Sequence, residues 1–148
     1  MRSQDPHEQR KRIAAFLAHQ RTAVLGAIVG QGVWAMPIKY RPTSDDPAGR
    51  RSLELDCLVP RWADVAHHLS QSAEVLLVVQ AASSAGLRWL QIQGVARPVE
   101  APSWTRLLPR WVSIVQPDGL YLVVRVTPSR IDLVDEDLGW GVQETVEW

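Results

Sequence analysis

Residues 22–40 read TAVLGAIVGQGVWAMPIKY, and this stretch decides the fold. Two apolar runs flank Gly30-Gln31-Gly32, so the pattern predicts a hairpin of two antiparallel strands around a glycine-rich turn. The first run, Thr22 to Val29, is apolar at both alternating positions, as expected for a strand covered on both sides. The returning run, Val33 to Tyr40, carries Pro37, which has no N–H for a sheet ladder and predicts an edge or a bulge there. Because side chains alternate along a strand, Lys39 and Arg41 share one face and Trp34, Met36, Ile38 and Tyr40 the other.

Upstream, Asp5, Pro6 and Glu8 form a helix start, and Ile13, Phe16 and Leu17 follow at helical spacing. Downstream, residues 41–51 form a polar loop. Ser52 to Leu58 alternates, with Leu53, Leu55 and Cys57 on one face and Glu54 and Asp56 on the other, which predicts a half-buried strand. Pro60 then opens a short helix over 61–69, with Trp62, Val65, Ala66 and Leu69 as its apolar stripe. Glu74 to Gln80 is a short apolar strand. Leu87 to Val99 is a longer one in which Gly94 predicts a bend or bulge. Trp104 to Val115 reads as a helix with Pro109 as a kink or boundary. Leu120 to Thr127 and Arg130 to Val134 read as two strands separated by Pro128-Ser129, and an acidic tail with Trp140 between Gly139 and Gly141 reads as loose. The result is a single domain over 1–148, mainly β with peripheral helices, built as a six- to seven-stranded antiparallel barrel.

Composition narrows the function. In 148 residues, sixteen basic side chains balance sixteen acidic ones, which argues against general affinity for nucleic acid or an anionic membrane. No apolar run approaches the ~20 residues that span a bilayer, so a cytoplasmic protein is expected. The one cysteine, Cys57, excludes an internal disulfide and a thiolate zinc site, and its place on an apolar face predicts an inert thiol. His67 and His68 are adjacent and point about 100° apart on a helix, so no metal site is expected from them. Nucleophile-elbow, P-loop and dinucleotide motifs are absent. The remaining candidates are cations and an aromatic ring. Arg61, at the start of the 61–69 helix, stands where backbone donors favour a phosphate. Lys39 and Arg41 face the same cleft if the second and third strands pair. Trp140, flanked by glycines, is free to stack on a planar ring.

The ordered series of an N-terminal helix, TAVLGAIV, the glycine hairpin, VWAMPIKY, SLELDCL, PRWADVAHHL, AEVLLVVQ, WLQIQGVARPVE and YLVVRVTPSRIDLVD followed by GWG resembles the FMN-binding split-barrel family of pyridoxamine 5′-phosphate oxidase-like proteins. The resemblance implies a split β-barrel homodimer with FMN in a cleft between subunits and an oxidoreductase of unassigned substrate. It also implies a phosphate grip in the turn after the third strand. Of that grip Arg61 matches, whereas Pro60 and Val65 replace a hydroxyl and a basic residue, so weak FMN binding is expected. Lys39 and Arg41 correspond to the basic group on the second strand. The family's C-terminal Arg-x-His segment is missing, which argues against oxidation of pyridoxamine phosphate. A split-barrel dimer without cofactor and a deazaflavin-dependent reductase are the alternatives.

Overall fold

The computed structural model describes residues 5–43, 53–71, 73–83 and 86–148. Ser52 and residues 44–51 of the polar loop lie outside them. In chain order the elements are α1 (Pro6–His19), β1 (Thr22–Val29), β2 (Gly32–Pro42), β3 (Leu55–Pro60), α2 (Val65–Leu69), β4 (Ala73–Ala81), β5 (Arg88–Pro98), α3 (Trp104–Leu107), α4 (Pro117–Leu120), β6 (Tyr121–Asp135) and β7 (Gln143–Glu147). All strand pairs are antiparallel. The strand order is β3-β2-β1-β4-β5-β6-β7, and β3 also pairs with β6. Six strands therefore close a barrel and β7 extends it, as the sequence pattern predicts for the architecture.

The length of β6 explains both the closure and the extra strand. Tyr121 to Val126 pairs with β3, while Arg130 to Val134 pairs with β7. The two strands predicted at 120–127 and 130–134 are thus one. Pro128 interrupts nothing, because it falls where neither β3 nor β7 asks for an N–H. On its other side it stands opposite Gly94, where the β5–β6 register shifts. That shift is the predicted bulge. The tail predicted to be loose supplies β7, and Trp148 closes it by donating its N–H to the Ser129 carbonyl at 3.1 Å. Pro37 also meets its expectation as an edge, since β2 pairs with β3 only over Lys39 to Pro42.

Alternate residues of each strand fill the barrel, among them Leu25, Tyr40, Cys57, Leu77, Ile92 and Ile131, all essentially inaccessible. Ile13, Phe16 and Leu17 of α1 and Val65, Ala66 and Leu69 of α2 join the same core. Asp5 caps α1 by accepting from the His7 N–H at 3.0 Å, and the buried Tyr40 hydroxyl donates to the Leu17 carbonyl at 2.7 Å.

Four other expectations need correction. In β1, Ala23, Leu25 and Ala27 are buried, but Val24 and Ile28 are exposed, so only one face of that strand is covered. Conversely β3 is covered on both faces: Asp56, expected outside, is buried beneath α3 together with Leu58. Trp62 does not belong to an apolar stripe; it precedes α2 in a turn and is 78% exposed. The helix predicted over 104–115 is one turn long, because the chain leaves helical geometry at Leu108, immediately before Pro109.

β7 is held by a satisfied carboxylate. Asp132 accepts from Thr145 at 2.6 Å, from Gln143 at 2.9 Å and from Arg130. Burial works to raise this carboxyl, but those donors and the Arg130 charge outweigh it, and its pKa is held below the ordinary value. A depressed carboxyl stabilises the fold above the unfolded-state pKa and loses that contribution as pH falls through the folded one. Asp132→Asn should therefore lower stability by about 1 kcal/mol at neutral pH, with the gap to wild type closing below about pH 4. Thermal melts of both proteins between pH 7 and acid check this, and a gap that does not change with pH would refute it.

Candidate functional site

The chemistry-bearing side chains gather on the outer wall of the barrel where β2 meets β3. Lys39 and Arg41 alternate with the buried Ile38 and Tyr40, so both point away from the core, as parity requires. Two cavities share Lys39 and Thr22 in their walls. The smaller, about 220 Å³, is completed by Pro37, Ile38, Leu58, Pro60 and Tyr121. The larger, about 540 Å³, lies between β2 and residues 105–112 and includes Arg21, Arg41, Arg106, Arg110 and Trp111.

The far wall of the larger cavity is fixed by a buried carboxylate. Asp56 sits on the outer face of β3 and accepts from Arg125 Nε at 2.9 Å and from Arg106 Nη2. Arg106 Nη1 also donates to the Pro42 carbonyl at 2.9 Å. The hydrogen bond to Asp56 raises the Arg125 pKa further, keeping its guanidinium charged. Leu107 packs beside this network on Leu58 and Val123. One charged knot and one small apolar cluster thus hold the segment after β5 against the wall. Alternation in SLELDCL assigned Asp56 to solvent; the available signal was an acid in a short strand with Arg106 and Arg125 far along the chain.

The predicted site residues divide. Lys39 and Arg41 are together. Pro60, the chain neighbour of Arg61, lines the smaller cavity, but Arg61 itself lines neither. Its N–H donates to the Leu120 carbonyl at 2.9 Å and its Nε to the Asp118 carbonyl. Nor does it open a helix: α2 begins four residues later and has five residues. The phosphate argument from a helix end therefore does not apply to it. Trp140 is 75% exposed in the turn between β6 and β7, beside Gly141 at φ +74°. It stands beyond the Asp135 end of β6, whereas the smaller cavity lies at the Tyr121 end. Trp140 lines neither of the cavities that Lys39 lines.

A third cavity, about 520 Å³, lies on the opposite part of the wall, with Gly26, Ile28, Val33, Leu76 and Val95 among its lining. Ile28 and Val33 there are 72% and 82% exposed. Cys57 faces the core, where burial first and the Asp56 charge second push its thiol pKa far up, leaving an inert thiol. Among the described residues no three His, Cys, Asp or Glu side chains gather as a metal would require, and no helix is long and apolar enough to cross a membrane.

No family model and no curated protein matches the chain. Solved structures do. A Clostridium acetobutylicum protein related to general stress protein 26 of the pyridoxinephosphate oxidase family superposes with a TM-score of 0.69 at 11% identity, covering 97% of this chain and 96% of its own. General stress protein 26 of Bacillus anthracis gives 0.64 at 14%, covering 95% and 99%. An FAD-binding protein of Mycobacterium smegmatis gives 0.54 at 14%, covering 81% and 90%. At such identities the likeness shows the fold, and that fold is the split barrel of pyridoxamine 5′-phosphate oxidase-like proteins.

Proposed function

We propose that this chain is one subunit of a cytoplasmic homodimeric flavin-binding protein with an oxidoreductase role, its FMN phosphate held at Lys39 and flanked by Arg61 and Arg41. The observation that carries the reading is Lys39 on the outer wall, in a cavity walled by Pro60 and Tyr121 where β3 ends. Lys39 makes no ion pair among the described residues and is free to meet a phosphate. Bound there, a flavin would supply hydride or electron transfer. The residues of this chain would anchor and orient it. Arg61 shares its guanidinium with the Asp118 carbonyl and so contributes less than Lys39.

A hydrogen bond to a charged group contributes about 1.5–3 kcal/mol. Removing Lys39 with a Lys39→Ala change should therefore weaken FMN roughly 10- to 150-fold, and Arg61→Ala should weaken it less. Titration calorimetry with FMN and with riboflavin, which lacks the phosphate, is the test. We expect micromolar FMN and weaker riboflavin. Equal affinities would remove the phosphate site, and no binding of either would favour a split-barrel dimer without cofactor.

The second subunit enters this reading for two reasons. Ile28 and Val33 leave an apolar face open around the third cavity, and contiguous apolar surface of this kind marks association sites. Trp140 lines neither cavity of Lys39 in its own chain, and a second copy would be the source of a ring for that cleft. Light scattering should give a dimer, and Ile28→Asp should give a folded monomer, since a buried unpaired carboxylate is strongly disfavoured. A monomeric wild type at micromolar concentration would overturn the dimer.

A further inference from the structure

We infer that the larger cleft, between the outer face of β2 and residues 105–112, is a binding site for a small polyanion, a molecule carrying two or more linked phosphate or carboxylate groups. Its volume of about 540 Å³ lies within the range of small-molecule sites. Arg21 enters it from the head of β1, Lys39 and Arg41 from β2, and Arg110 from the opposite wall. Among the described residues no Asp or Glu lines it. Arg106, also in the wall, is engaged by Asp56 and the Pro42 carbonyl.

What marks this cleft is that four cations without a carboxylate partner stand in one cavity, whereas Arg10, Lys11, Arg61 and Arg97, also without one among the described residues, lie outside it. Arg12, Arg88, Arg106, Arg125 and Arg130 all hold carboxylates. Arg21, Lys39, Arg41 and Arg110 hold none among the described residues, although the chain has as many acidic as basic side chains. Lys39 and Arg41 stand two strand residues apart, roughly 7 Å along β2, which is more than the width of one phosphate group. Four like charges on two facing walls repel one another, and a single phosphate of charge about −2 offsets only part of that. A ligand with several anionic groups bridges the walls. Trp111, 86% exposed beside Leu108 and Val112, offers its body an apolar contact. The inference goes beyond the flavin reading, which uses neither Arg21 nor Arg110.

The test is titration calorimetry of the full chain with inorganic pyrophosphate, citrate and orthophosphate. The comparison is an Arg21→Gln/Arg110→Gln double variant. Both side chains are exposed and outside any ion pair among the described residues, so an unchanged melting temperature is expected. At least one of pyrophosphate and citrate should bind about tenfold or more tighter than orthophosphate and weaken about tenfold or more in the variant, and the tighter of the two separates a phosphate from a carboxylate ligand. FMN affinity should be the same in variant and wild type. Absence of pyrophosphate and citrate binding at millimolar concentration, orthophosphate binding as tightly, or unchanged affinity in the variant would each overturn the site. None of these results bears on the FMN phosphate at Lys39, which the riboflavin comparison tests separately.

Discussion

Gly94→Ala is expected to destabilise the protein by about 3 kcal/mol, the upper part of the usual range for overpacking a tight site. A Cβ at Gly94 would stand 2.4 Å from the Thr127 carbonyl oxygen and 3.2 Å from the Pro128 Cα. Both neighbours are backbone, so no side chain can turn aside. The obstruction falls at the register shift between β5 and β6, on a seam that runs along β6 from Val124 to Asp135, farther than its seams with β3 or β7. Relief would require the two strands to separate where Pro128 offers no N–H to compensate. For a chain of this size the loss corresponds to roughly 6–12 °C in melting temperature. Gly26→Ala is the control, because a Cβ there meets its nearest atom at an ordinary 3.7 Å. A Gly94→Ala protein that melts within about 2 °C of wild type would show that the seam gives way more easily than its geometry implies.

Gly94 was legible because a glycine inside an apolar strand has few uses, and close backbone approach is one. The 22–40 hairpin was legible for a similar reason: alternation and a glycine turn are local signals, and its observed register follows them from Thr22–Lys39 to Val29–Gly32. The misreadings come from elements whose limits are set by partners. Pro128 looks like a strand break to any reading of neighbours along the chain. Its missing N–H has no consequence here, since β3 ends its pairing before it and β7 begins after it. The acidic tail has little apolar content of its own, yet it becomes β7 because β6 presents an open edge and Arg12 of α1 meets Glu144 at 2.8 Å. Trp62 fitted a helical stripe by spacing, but the preceding turn delays the helix until Val65 and leaves the indole outside.

The candidate site shows the same division. Parity along β2 correctly put Lys39 and Arg41 on one outward face, a property of backbone geometry alone. Arg21 and Arg110 could not be added that way. One sits at the junction of α1 and β1, the other in irregular chain after α3, and only the closed barrel brings them opposite β2. Arg61 was placed by a helix end that forms four residues later. Asp56 was missed because alternation tells which residues share a face and not whether that face is covered.

Asp56→Ala is expected to cost about 2–3 kcal/mol and to loosen the wall of the cationic cleft. Removing one member of a buried ion pair typically costs about 3–5 kcal/mol. The lower figure applies here because Arg106 and Arg125 keep about 36% and 44% of their side-chain surface in water, where the orphaned charges regain solvation. The local consequence is larger than the global one. With Asp56 gone, residues 104–108 are held to the barrel by Leu107 on Leu58 and Val123 and by the Arg106 contact with the Pro42 carbonyl. Amide exchange at Leu107 and Leu108 should therefore quicken more than in the barrel strands. The same change frees Arg106, adding a fifth uncompensated cation beside Arg21, Lys39, Arg41 and Arg110, while blurring the distance between the walls. If the cleft works by fixed geometry, pyrophosphate or citrate binding falls despite the added charge. If it works by charge alone, binding rises. Asp56→Asn separates the carboxylate's charge from its volume: it keeps an acceptor for Arg125 and should retain more of the melting temperature than Asp56→Ala. Equal melting of wild type and Asp56→Ala would mean that apolar packing, and not the charged knot, holds this segment in place.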